Sequence, residues 1–397
     1  MEKNKNGVKI IFHIDMNQFF CSVAKIIEPK LEGMAFAIGR ESTTKGVLST
    51  ASYEARKYGI HSGMPTIEAL KLLPSLLIIH IDYSHYLYYH EKFINLVKEY
   101  TNLIEVASID EVFCDMTEIS NYRHPLDVAK EIQDRLVKEY KLPSSIGIAP
   151  TLFLAKMASD IKKPRGITVI RRREIEKILY PLSVKDIFGI GKKTYPRLLD
   201  NNINTIKDFM DINNKDKIIK LIGENTYNYA TSHILGHSSD IVDPNRYSES
   251  KSISECQTYD VPISVFEDLI LESRKLARSV YNRLIKEKYY FKTVKITLRD
   301  KAFNTITRQV TFDDYIQDYY VFNDALYDLF EANFKDLEYR LIGVGLANLI
   351  KEDKIEKEYN LFTYQDIDTK KKNINKLIKE FQEKFGENAL YIKKDKK

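Results

Sequence analysis

The chain has 397 residues, room for roughly two to four domains, and 61 Lys and Arg against 56 Asp and Glu give a formal net charge of +5. That surplus is modest for a nucleic-acid binder, so such a role would rest on basic residues gathered on one face. Cys21, Cys114 and Cys256 lie far apart with no CxxC pair, which argues against a zinc site or a disulfide framework and suits a reducing compartment.

The first residues carry no apolar run suited to a signal peptide, and no stretch nears the ~18 apolar residues of a membrane span. A soluble, cytoplasmic protein without membrane contact is expected. Residues 8–14, VKIIFHI, read as a buried strand ending at Asp15. A helix then starts over 17–26, a short strand over 46–50, and a helix over 51–58 that stops before Gly59. Pro65 opens a further helix that Pro74 ends, and 76–81 is a strand.

A longer helix covers 84–99, with Leu87, Phe93, Ile94 and Val97 as its apolar stripe. Strands follow at 102–107 and 112–115, with Asp110 and Glu111 near the turn between them. The pattern continues as a helix over 125–139, a strand over 144–149 and a helix over 151–160. This order predicts an α+β fold whose antiparallel-containing sheet carries helices on one face. Residues 173–236 read as almost all helix, 240–250 as a polar linker, and 252–349 as helices and strands again. The basic tail over 351–397 contains a YNLF element.

Three acids stand out by placement. Asp15 closes a strand, and Asp110 and Glu111 lie between two others, so adjacent strands would bring Asp15 near Asp110. Neighbours on one strand point to opposite faces, which leaves open whether Glu111 joins them without a turn or bulge. Clustered carboxylates repel unless a cation neutralises them, and hard oxygen ligands beside phosphates are the usual setting of Mg²⁺. Acids also fall at strand ends and turns for no functional reason.

Six segments together decide between these readings. FHIDMNQFFCSV, STASYEARKYGIHSGMP, SIDEVFCD, GIAPTLFLAKMASDIKKPRG, DIFGIGKKTYPRLLDNNI and KSISECQTYD resemble, in family order, motifs of the Y-family DNA polymerases of the DinB/UmuC type. The UmuC-like polymerases of Gram-positive bacteria are the most similar group. The resemblance spans roughly residues 8–349 and implies a right-hand polymerase with a ferredoxin-like palm (1–18 and 82–172) and small fingers (19–81). A helical thumb with a helix-hairpin-helix (173–240), a linker (241–250) and an α/β little finger (251–350) would follow.

By the same resemblance, Asp15, Asp110 and Glu111 with the backbone carbonyl of Met16 hold two Mg²⁺ ions, for which Mn²⁺ can substitute. Phe20 is the steric gate against a ribose 2′-hydroxyl. Thr50, Tyr53, Arg56 and Lys163 bind the triphosphate; Tyr53 and Arg56, three apart, share a helix face. Lys156 is a weaker candidate that serves DNA or structure. Gly189 and Gly191, which also suit close approach to a DNA backbone, bind it with Lys192 and Lys193. Lys295, Arg299 and Arg308 line the duplex. Leu361 and Phe362 resemble a sliding-clamp peptide, although Glu358 and Tyr359 depart from its usual start.

The expected partners are primer-template DNA, a dNTP and the bacterial sliding clamp, around a monomeric core. The short fingers and the family's lack of a proofreading exonuclease imply low fidelity and synthesis past damaged bases. Two departures are Asn17, where much of the family has Asp, and Ala24, where a Glu is frequent. A non-catalytic DNA-binding scaffold would be favoured by a broken carboxylate set, which this chain lacks. A nucleotide cyclase leaves Phe20 and the thumb hairpin unexplained.

Overall fold

The apolar run near the N-terminus becomes β1 (Ile11–Met16), six residues that are all buried. The computed structural model describes residues 7–39 and 46–355. The chain divides into two compact units between Glu249 and Ser250.

After β1 come α1 (Phe19–Ile27), β2 (Phe36–Ile38), β3 (Thr50–Ala51), α2 (Tyr53–Arg56), α3 (Thr66–Leu72) and β4 (Leu77–Ile79). The strand expected over 46–50 is confined to β3, and β2 was not anticipated because AFAI offers three buried residues and no alternation. These three short strands form a sheet in the order β3-β2-β4. Ser52 caps α2 by accepting the Ala55 N–H at 3.2 Å, which starts a helix four residues long.

The next elements are α4 (Tyr83–Lys98), β5 (Ile104–Val106), β6 (Glu111–Asp115), α5 (Pro125–Tyr140), β7 (Ser144–Ala149), α6 (Leu152–Ile161) and β8 (Ile167–Val169). The main sheet runs β5-β6-β1-β7-β8 and is antiparallel except between β7 and β8. Its helices lie on both faces, not on the single face expected from element order. Phe12, Ile14 and Met16 join the core of α4 and α5, whereas Ile11 and Phe113 pack with α6 and the helices that follow. Element order fixes neighbours along the chain but not the side to which a crossover turns.

Residues 172–236 are helical but fragmented, into α7 (Ile175–Ile178), α8 (Tyr195–Leu199), α9 (Ile206–Met210), α10 (Lys215–Ile222) and α11 (Glu224–Ile234). The element before the glycine turn is a single 3₁₀ turn, Val184–Asp186. Ile190, between the two glycines, is buried against the α6 core and pins the turn from beneath.

The second unit contains β9 (Ser252–Ile263), α12 (Phe266–Lys286), β10 (Tyr289–Asp300), β11 (Thr305–Ile316), α13 (Tyr319–Asn333), β12 (Tyr339–Ala347) and β13 (Ile350–Lys351). Its antiparallel sheet has the order β11-β10-β12-β9, and Val294, Ile296 and Leu298 pack with residues of α12 and α13.

One glycine sets the closeness of α6 to the main sheet. A Cβ on Gly147 would stand 2.0 Å from the Ala155 carbonyl oxygen and 2.5 Å from the Ser159 nitrogen. Both are helix backbone atoms and cannot rotate aside. Gly147→Ala should therefore cost about 3 kcal/mol or more in urea unfolding. A loss below about 1 kcal/mol would show that α6 can retreat freely.

Candidate active site

The alternation of β1 divides its residues between two environments. Phe12, Ile14 and Met16 face the α4–α5 core, so His13 and Asp15 face α6. In register, Asp15 stands opposite Glu111, and His13 opposite Phe113. Directly opposed residues of an antiparallel pair share a face, so Glu111 is the acid beside Asp15 without any bulge. Asp110 lies just before β6, half-buried. Its backbone oxygen accepts the Met16 N–H at 2.9 Å, and its Oδ1 accepts the Ser108 hydroxyl at 2.6 Å. The structure thus pairs Asp15 with Glu111 and ties Asp110 to the end of β1.

From the other side, α6 presents Lys156, which contacts Glu111 and lies 3.5 Å from Asp15. Lys163, just beyond the helix, donates to Asp15 at 2.8 Å and to Asp160 at 2.8 Å. Asp160 is also 3.9 Å from Lys156, four residues earlier on the same helix. Three acids and two lysines therefore alternate. Burial lifts the Glu111 carboxyl to about 7, with the hydrogen bond to Asp15 adding to it and Lys156 opposing. Burial also works against ionised Asp15, but the Glu111 hydrogen bond and the Lys163 charge outweigh it and hold Asp15 below the usual carboxylate range. For both lysines burial disfavours the charge, yet the surrounding carboxylates raise them above an ordinary lysine.

His13 was not anticipated from sequence. It is fully buried, with Nδ1 2.8 Å from Ser159 Oγ, and Ser159 donates in turn to the Lys156 carbonyl at 2.8 Å. The serine proton is thus committed, so Nδ1 carries the imidazole proton and Nε2 is a bare acceptor. Burial, and then Lys156, depress the imidazole to about 3, so its 3.9 Å approach to Glu111 is no ion pair. Asp160 was also missed, although its i,i+4 spacing from Lys156 was visible.

The residues matched to triphosphate binding gather around α2. Arg56 donates to the Ala51 carbonyl at 3.0 Å and to Thr50 Oγ1 at 3.3 Å, and its guanidinium lies 5.3 Å from the centre of the Tyr53 ring. The Tyr53 amide donates to Gln18 Oε1 at 2.9 Å, which joins α2 to the turn after β1. Burial lifts the Tyr53 phenol above its usual value; Arg56 and Lys163 oppose that shift and Asp15 adds to it. Within this cluster it is Tyr53 that lies near enough to feel Asp15 and Lys163.

Phe20 is half-buried, its ring held nearly edge-on by Tyr86 at 4.5 Å between centres. Gly189 adopts φ +92, which favours glycine, and a Cβ at Gly189 or Gly191 would meet nothing within 4 Å. Lys192 and Lys193 are exposed beside them. In the second unit, Lys295 and Arg299 alternate with the buried face of β10. Arg308 is in register with Ile296, so it lies on the other side of the sheet from them, exposed on the edge strand β11. Leu361 and Phe362 lie outside the described residues.

Known proteins match along most of the chain. The impB/mucB/samB family matches residues 14–160, and its C-terminal domain matches 250–359. DNA polymerase IV of Oceanobacillus iheyensis is 36% identical over 98% of this chain and 93% of that protein. DNA polymerase IV 1 of Bacillus subtilis is 37% identical over 95% and 91%. The chain belongs to the Y-family (DinB/UmuC-type) DNA polymerases. Among solved structures, a Y-family polymerase chimera of Dbh and Dpo4 superposes with TM-score 0.76 at 26% identity, covering 86% of this chain and 99% of that one. DinB from Sulfolobus solfataricus gives 0.60 at 27% identity, with the same coverage. The fold is thus that of a right-hand polymerase with palm, fingers, thumb and little finger.

Use of Mg²⁺ is typical of Y-family polymerases. Among the described residues, no three His, Cys, Asp or Glu side chains come together as a metal cage. The donor chemistry nevertheless fits a hard cation: Asp15 and Glu111 are adjacent hard-oxygen groups, and two ammonium groups already rest on them. Among the described residues, no helix is long and apolar enough to cross a membrane.

The raised Glu111 has a consequence for stability. The folded protein keeps a proton that the unfolded chain releases near 4.5, so Glu111's contribution is full below about 4.5 and is lost as pH rises through about 7. Asp15, held low, is ionised throughout that window and adds no slope. In EDTA, wild type should lose more melting temperature than Glu111→Gln between about pH 5 and about pH 8. Parallel curves for the two proteins would mean that Glu111 is ionised across the range.

Proposed function

We propose that this chain is a template-directed DNA polymerase of low fidelity that extends primers past damaged bases, joining a deoxynucleotide to a primer 3′-hydroxyl beside Asp15. The observation that carries this reading is the in-register pairing of Asp15 and Glu111 beneath Lys156 of α6 and Lys163 just past it. The palm would be 1–18 and 82–172, the fingers 19–81, the thumb 173–240 and the little finger 251–350.

Asp15, Asp110, Glu111 and the Met16 carbonyl would hold the metal. Two Mg²⁺ bound there would supply Lewis acidity for the attacking hydroxyl and offset charge on the departing pyrophosphate. Arg56 offers the triphosphate a fork of donors, and Tyr53 and Thr50 offer hydroxyls. Lys163 would exchange a carboxylate for a phosphate. Phe20, braced by Tyr86, would stand against a 2′-hydroxyl on the incoming sugar. Gly189 and Gly191, with Lys192 and Lys193, would take the duplex backbone without regard to sequence. Lys295 and Arg299 share one face of the little-finger sheet and would meet the same backbone, with exposed Arg308 reaching it from the edge strand.

Primer extension with Mg²⁺, four dNTPs, and undamaged and abasic templates tests the reading. Asp110→Ala should lower the rate by about a thousandfold or more while leaving primer-template binding intact. A wild type that binds primer-template but adds no nucleotide under varied metal conditions would make the chain a DNA-binding scaffold. Separately, Phe20→Ala should weaken discrimination against ribonucleotides by about a hundredfold. Unchanged discrimination would return Phe20 to core packing.

A further inference from the structure

Asn17 departs from the Asp that is frequent in the family, and the structure gives it work that a carboxylate cannot do. It is 1% exposed, at the junction of β1 and α1. Its backbone is tied on both sides: the N–H donates to Pro143 at 2.8 Å, and the carbonyl accepts from Ser22 at 2.9 Å. The side chain then bridges β7 and the loop that follows α6. Oδ1 accepts the Arg165 N–H at 2.8 Å, and Nδ2 donates to Ser145 Oγ at 3.0 Å. The Arg165 N–H can only donate, which fixes the orientation of the amide.

The polarity continues into the loop. Ser145 is fully buried on β7 and has one proton. Because it accepts from Asn17 Nδ2, that proton has two acceptors within reach, the Lys162 carbonyl and Asn17 Oδ1, each at 3.4 Å. Asn17 therefore holds the residue before Lys163 through Ser145 and the residue two after it directly. The loop between these holds is tight: a Cβ on Gly166 would lie 1.9 Å from the Lys162 oxygen. An Asp at position 17 has no proton to give. Ser145 would have to donate to it, which draws that proton away from the Lys162 carbonyl.

We propose that Asn17 is a positioning residue, acting through Ser145 and the 162–166 loop to aim Lys163 at the incoming triphosphate. This deepens the function proposed above and rests on Lys163 as a triphosphate ligand. Its specific content is that Asn17 matters for nucleotide affinity only while Lys163 is present.

Single-nucleotide insertion on a primed template with Mg²⁺ would compare wild type, Asn17→Ala, Lys163→Ala and the double variant, with thermal melting alongside. Asn17→Ala should raise the KM for dNTP by about tenfold more than it lowers kcat. The double variant should have the same KM as Lys163→Ala alone. Asn17→Asp keeps the acceptor for Arg165 and should fall between wild type and Asn17→Ala. Should Asn17→Ala prove unable to fold, Ser145→Ala breaks the same chain from β7 and runs the same cycle. If Asn17→Ala multiplies KM equally with and without Lys163, the tether is wrong while the role of Lys163 stands. If Lys163→Ala leaves KM at the wild-type value, the triphosphate role fails and takes this proposal with it.

Discussion

Two carboxylates placed side by side by strand register, Asp15 and Glu111, impose the constraint that the surrounding palm answers. Two unit charges ~5 Å apart at an effective dielectric of ~20 repel by about 3 kcal/mol, a sizeable part of a domain's net stability. The chain meets this in two ways. The pair shares a proton, which raises Glu111 and lowers Asp15, and two ammonium groups are brought against its oxygens. The first removes one unit of negative charge from the pair, and the second offsets what remains without blocking the oxygens' exchange for another cation.

Those ammonium groups reach the pair because α6 lies almost on the sheet. Gly147 contributes no side chain where the helix backbone passes, and Ala155, Ala158 and Ser159 keep the facing surface small. That packing fixes Lys156 one turn before Asp160 and Lys163 just past the helix end. It also buries His13 in a neutral tautomer whose Nε2 has no hydrogen-bond partner. An unsatisfied buried acceptor costs about 1–3 kcal/mol, so stability is conceded in order to bring helix and sheet together at the charged site.

Much of this was legible from the residues. The run VKIIFHI ends in a charged residue, and β1 carries Asp15 at its end. The helix read over 125–139 forms as α5, with Val128, Ile132 and Leu136 on its buried side. Local periodicity suffices where each element buries its own apolar face. It fails where the outcome depends on what lies opposite. Period-2 alternation within β6 suggested that Glu111 would need redirecting; cross-strand register, which no single strand contains, places it beside Asp15 and leaves Asp110 ahead of the strand. Arg308 shows the same limit: it looks interleaved with Lys295 and Arg299, but register with Ile296 puts it on the other side of the sheet. His13 is hidden inside an apolar run, and the sequence shows Asn17 only as the loss of an acid, not the two bonds its amide makes.

The alternating acids and lysines also bear on how such a site changes state. Lys163 is held by Asp15 and Asp160 together, so releasing Asp15 does not leave the ammonium without a counterion. Lys156 has the same reserve in Asp160, at longer range. On the reading proposed above, a cation arriving at Asp15 and Glu111 would displace positive charge already present instead of filling an open negative well. The displaced ammonium of Lys163 would be free to meet phosphate while its loop stays fixed by Asn17. Metal and triphosphate would then assist one another through one lysine, with no movement of the sheet required. The constraint that begins as repulsion between two acids would in this way become the coupling between the two ligands.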